Sequence, residues 1–138
     1  MTAGPVRVPI EPYIRDATRA DDATVVVRAG PITVEKFLEH MRRQQDRYSY
    51  RQGPMVSISV DATVAGWTLE AILDDRLWAR STYATATVGA LRRAGYELLP
   101  TFDAPHFDVV VPVATPDAAG SLLLAFRPAE RNPYRRRR

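Results

Sequence analysis

The hydrophobic positions change period along the chain, and each change marks an element. Val34, Phe37, Leu38 and Met41 fall at i, i+3, i+4 and i+7, while Glu35, Lys36, Glu39, Arg42 and Arg43 take the other directions. This spacing predicts an amphipathic helix, capped by Thr33 and ending near Arg47, with His40 on its outer side. After the turn dipeptide Gly53-Pro54 the period drops to two. Val56, Ile58 and Val60 alternate with Ser57 and Ser59, which predicts a strand with three apolar side chains on one face and two hydroxyls on the other. The β-branched run Thr24-Val25-Val26-Val27-Arg28, closed by Ala29-Gly30, predicts a buried strand.

Further along, Thr68 caps a second helix through Leu69, Ile72, Leu73 and Leu77. A third helix is expected from about Thr82 to Ala94, with Gly95 at the left-handed position that ends it. Strands are expected in YELLPTF (96–102) and HFDVVVPV (106–113), and Thr115-Pro116-Asp117 starts a last helix that stops before Pro128. VRVPI (6–10) is readable only as an edge strand, because Pro9 lacks the donor a central strand needs. The expected class is therefore α+β (or α/β): one domain, with helices packed on a small mixed sheet of about four strands. Residues 1–23 form an extended arm, 24–128 the globular domain and 129–138 a basic, flexible tail.

Composition narrows the picture modestly. At 138 residues, 46% hydrophobic and 25% charged, the chain suits one ordinary globular core. The lack of cysteine excludes disulfides, thiolate-held zinc and thiol nucleophiles. No apolar run approaches a membrane span and the start has no hydrophobic leader pattern, so a cytoplasmic location and no membrane contact are expected. The net charge of +3 is unevenly spread. Residues 127–138 carry six arginines against Glu130, which leaves −2 for the first 126 residues. Attraction to a nucleic acid or an acidic protein partner is therefore expected from the tail Arg135–Arg138.

Three groups of residues carry candidate chemistry. Arg28 closes a buried-looking strand, where a guanidinium is costly unless something anionic meets it. The Ser57/Ser59 strand follows about thirty residues later, after an aromatic-rich turn. The two segments VVVRAG and MVSISVDA resemble the arginine and serine strands of ADP-ribosyltransferases of the arginine–serine–glutamate type. The resemblance covers residues 24–65. It implies Arg28 on the phosphates of NAD as substrate, Ser57 and Ser59 supporting the nicotinamide ribose, and a later glutamate stabilising the ribosyl cation. No E-x-E or Q-x-E pair follows; the later acids beside strands are Glu97, Asp103 and Asp108, and Glu97 is carried as the candidate carboxylate.

The second group surrounds His106, at a strand entrance between Asp103 and Asp108. A histidine beside a carboxylate can serve as general base, for example on a ribose 2′-hydroxyl in RNA cleavage. The third is RRQQDRYSYRQ (42–52), where Arg47 and Arg51 interleave with Tyr48 and Tyr50, a recipe for phosphate contact and base stacking. No metal-ligand spacing and no phosphate-cradling glycine loop are present.

The leading expectation is a small intracellular protein handling a nucleotide or RNA, a toxin-like ADP-ribosyltransferase of a defence or toxin–antitoxin pair with a cognate protein partner. The alternatives are a ribonuclease-type toxin using His106, and a non-catalytic protein or nucleic-acid interaction module with an arginine-rich tail. They differ in geometry. A transferase needs a carboxylate on the serine face, and a nuclease needs His106 and arginines in one cleft. An interaction module needs neither.

Overall fold

The computed structural model describes residues 6–11, 20–50 and 53–136. Its elements are β1 (Val8–Pro9), β2 (Val25–Ala29), α1 (Val34–Arg47), β3 (Tyr48–Tyr50), β4 (Gly53–Pro54), β5 (Ser57–Ala62) and α2 (Leu69–Ala71). A π turn, Ile72–Arg76, continues α2. Then come β6 (Thr82–Thr87), α3 (Val88–Arg93), β7 (Glu97–Pro100), β8 (His106–Val110), α4 (Pro116–Leu123) and β9 (Glu130–Arg131). The fold is α+β, as expected, but the main sheet is larger than the four strands anticipated. Six strands lie in the order β7-β8-β5-β2-β6-β9, every neighbouring pair antiparallel, and β1-β3-β4 form a separate three-stranded sheet.

Helix starts follow their hydroxyl caps. Thr33 Oγ1 accepts from the Lys36 amide, Thr68 Oγ1 from Ala71 and Thr115 Oγ1 from Ala118, each supplying a partner to an otherwise orphaned donor. The expected helix at Thr82 is a correction. Thr82–Thr87 is a strand that pairs with β2 over five residues, and Thr87 caps the shorter α3. Thr-Tyr-Ala-Thr-Ala-Thr alternates β-branched or aromatic residues with alanine at the period of a strand, and this outweighs alanine's helical preference. Gly95, at φ 94°, ends α3 in the left-handed conformation that only glycine takes without strain.

Residues facing each other across an antiparallel ladder share a face. Val26, Ile58, Val60, Ala84, Ala86, Phe107 and Val109 thus form one face, buried against Phe37 and Met41 of α1, Leu91 of α3 and Leu122 of α4. The opposite face carries a smaller cluster, Val27 and Tyr83 with Ile72 and Leu73 of the π turn. It also carries Ser57, Ser59, Asp61, His106 and Asp108.

Glu130–Arg136, expected to lie in the tail, packs on the domain. β9 extends the sheet beside β6, and Asn132 is buried with its side-chain amide directed at the carbonyls of Leu73, Leu77 and Arg80 at 3.3, 3.0 and 3.2 Å. Arg136 donates from its backbone to the Trp78 carbonyl, pairs with Asp74 and lies 5.3 Å from the Trp78 ring centre. A buried asparagine donating to carbonyls of the π turn and of the loop that follows it anchors this segment against them. Arg137 and Arg138 lie outside the described residues.

Candidate functional site: a cationic cleft where two central strands part

β2 and β5 are neighbours for only two residue pairs, Val26 with Ala62 and Val27 with Asp61. Continued, the ladder would set Ala29 opposite Ser59, but there the strands part while β2 stays paired with β6 through Ala29. The backbone groups of Ser59 that face the gap take side-chain partners instead. Its N–H donates to His40 Nε2 at 3.3 Å, and its carbonyl accepts from Arg28 Nη1 at 2.9 Å. The parting is therefore stabilised by one imidazole and one guanidinium, as buried strand backbone requires.

The gap opens into a cleft of about 470 Å³. Its cationic wall is Arg28, Lys36, Arg43, Arg76 and Arg80, and its two carboxylates are Glu39 and Asp61. Both are already engaged. Glu39 pairs with Arg43 at 3.0 Å and Lys36 at 3.8 Å, and Asp61 pairs with Arg76 at 2.9 Å. Among the described residues neither Arg28 nor Arg80 forms an ion pair. Burial, followed by repulsion from Arg80 and Arg43, lowers the Arg28 pKa to about 10, partly opposed by Asp108. A guanidinium held near two others and short of counter-charge has the electrostatics that an anion site requires.

Behind the cleft lies a buried polar network. Asp108 is fully buried and its Oδ1 accepts from Ser57 Oγ at 3.2 Å, Ser59 Oγ at 3.4 Å and Gln44 Nε2 at 3.2 Å. Its Oδ2 accepts from Thr101 Oγ1 at 2.6 Å. No buried side-chain polar atom among the described residues lacks a partner. Thr101 then connects Asp108 to His106, whose Nδ1 lies 2.9 Å from Thr101 Oγ1 and 3.1 Å from the Thr101 carbonyl. The hydroxyl has one proton, and the short contact gives it to Asp108; a carbonyl can only accept. His106 Nδ1 must therefore carry a hydrogen, and the neutral ring has its lone pair on Nε2. His106 lines the cleft.

The candidate residues separate accordingly. Arg28, Ser59 and His106 line the cleft together. Ser57 does not reach it; it is completely buried under the Gln44–Asp108 network, so the hydroxyl face of β5 is an interior one. Glu97 is exposed on the edge strand β7 and is not part of the cleft. Arg47 is exposed at the end of α1, and Tyr48 and Tyr50 are half-buried in β3, outside the cleft wall. Arg51 lies outside the described residues. His40 corrects its expected outward position, being half-buried and in the cleft. Gln44, Thr101 and Asp108 were missed as a unit. Gln44 follows Met41 by three on the apolar stripe, which was the available signal.

His40 makes the site sensitive to acid. Burial first, then Arg28, Arg43, His106 and Arg47, lower its pKa to about 4 from an ordinary value near 6.5. Nε2 must stay unprotonated to accept the Ser59 amide. The folded state thus binds fewer protons than the unfolded chain between these two values. Its stabilisation is complete above about pH 6.5 and is lost as pH falls toward 4. Melting temperature is expected to fall over this window more steeply in the native protein than in His40→Gln, whose amide oxygen can accept the same N–H without titrating. Parallel curves would show that His40 is not held neutral.

Among the described residues no helix is long and apolar enough to cross a membrane, and no group of three or more acidic or histidine side chains could hold a metal ion. No protein-family model, curated protein or solved structure matches the chain.

Proposed function

We propose that the cleft binds a ribose phosphodiester and that His106 acts on it as general base, which is ribonuclease-type chemistry. The supporting observation is the convergence of Arg28, Arg43 and Arg80 with a histidine whose tautomer is set by Thr101 and Asp108. In this reading His106 Nε2 takes the proton of the ribose 2′-hydroxyl as its oxygen attacks phosphorus. The arginines neutralise charge gathering on the phosphoryl oxygens. The P–O5′ bond breaks, and the imidazolium returns the proton to the leaving oxygen. The products are a 2′,3′-cyclic phosphate and a 5′-hydroxyl.

The transferase reading stands second. Arg28 and Ser59 do meet at the end of the first core strand, bonded through the Ser59 carbonyl. A carboxylate for the ribosyl cation is harder to supply. Asp108 is buried under four hydrogen bonds, and both cleft carboxylates are paired with cations. Incubation with a short single-stranded RNA and with DNA of the same sequence tests the choice. RNA fragments ending in cyclic phosphate, with the DNA intact, support the proposal. Intact RNA together with nicotinamide release from NAD would replace it with the transferase.

A further inference from the structure

Phe102 is the residue of this chain that most needs a reason. The residue is half exposed, and its backbone sits at φ 60°, a left-handed conformation that a bulky side chain rarely adopts. Glycine or asparagine would take that position with less strain and hide no ring from water. The side chain is nevertheless fixed in place. It meets the His106 ring edge-on, with centres 5.1 Å apart, and the Tyr48 ring edge-on at 5.8 Å. Three rings thus stand in a row beside the cationic cleft, His106 belonging to both. With both contacts made, half of Phe102 is still exposed to solvent.

We infer that Phe102 is the stacking platform for a nucleobase, so that the ligand of the cleft is a nucleotide unit whose base rests on Phe102 while its phosphate meets Arg28. The inference rests on the phosphate-binding reading above and adds the class of group joined to that phosphate. An exposed aromatic held rigidly next to an anion site offers what a base requires: a flat apolar surface whose ordering cost is met in advance. It carries no base-edge donors or acceptors, so discrimination among bases is expected to be weak. Tyr48, offered by the sequence as a stacking residue, becomes a positioning residue that holds the Phe102 ring.

The test is calorimetric binding at low salt of adenosine 5′-monophosphate, ribose 5-phosphate and a tetraadenylate to the native protein, Phe102→Gly and Phe102→Trp. The nucleotide is expected to bind the native protein roughly 10-fold tighter than ribose 5-phosphate, that advantage disappearing in Phe102→Gly and surviving in Phe102→Trp. Phe102→Gly should melt no lower than the native protein, because it removes the left-handed strain. Tighter binding of the tetraadenylate than of the mononucleotide would identify the natural ligand as a strand; equal binding would identify a free nucleotide. Both agree with the inference. Equal affinity for nucleotide and sugar phosphate would overturn it while leaving the phosphate site intact. Failure of all three probes to bind would remove the phosphate reading itself.

Discussion

Asp108→Ala should destabilise the protein by about 3 kcal/mol, a drop of roughly 10 °C in melting temperature for a domain of this size. The substitution strands three hydroxyl donors, Ser57, Ser59 and Thr101, of which Ser57 and Thr101 are buried, and leaves the buried Gln44 amide only its longer contacts to the Ser57 and Ser59 hydroxyls. Each stranded donor keeps its desolvation penalty, whereas Ser59→Ala removes one donor from an acceptor that retains three others and should cost about 1 kcal/mol or less. Denaturant melts of the two variants measure the contrast. Equal small losses would mean that water replaces the carboxylate and that the network is not sealed.

His106→Gln should lower turnover of a ribose phosphodiester by about 10²- to 10⁴-fold while binding falls much less. Glutamine keeps a polar group in the cleft but cannot take and return a proton, and in the proposed reading the cleft arginines Arg28, Arg43 and Arg80 would still hold the phosphate. Asp108→Asn adds an internal check. Its amide would donate to Thr101, whose hydroxyl would be released to donate toward His106 Nδ1 and favour the unproductive tautomer. The Thr101 carbonyl resists that switch, since it still accepts from Nδ1–H. Asp108→Asn should therefore lose less activity than His106→Gln and melt above Asp108→Ala. Single-turnover rates and ligand affinity measured side by side separate the effects; an affinity loss equal to the rate loss would make His106 a binding residue only.

The elements that depend on local pattern were legible in the chain. The α1 stripe, the three threonine caps and the β5 alternation all rest on contacts within a few residues. Ser57 and Ser59 were correctly set on one face of β5, yet their role was not visible, because Asp108 comes opposite Ser59 only through the β5–β8 register. Long-range pairing of this kind leaves no periodic trace. His40 illustrates a different limit. Three residues beyond Phe37 is about 60° around a helix, still close to the inner face, and only the parting of β2 and β5 makes that flank valuable. The docked C-terminal segment was obscured by its own composition. Six arginines read as a solvated tail, whereas Asn132, a single uncharged side chain, decides where the segment lies. Phe102 was hidden for a similar reason, since an exposed left-handed phenylalanine has no sequence signature.

The central claim is that a phosphate group sits where β2 and β5 part. It is tested most directly by titrating the isotopically labelled protein with adenosine 5′-monophosphate and following backbone amide shifts. The predicted result is a set of saturable changes concentrated at Arg28–Gly30 and Ser59–Asp61, weakened at least ten-fold in affinity by Arg28→Ala through loss of a charge-assisted contact. Changes confined to Arg131–Arg136, with the amides of the parted strands unmoved, would contradict it and return the anion to the C-terminal arginines.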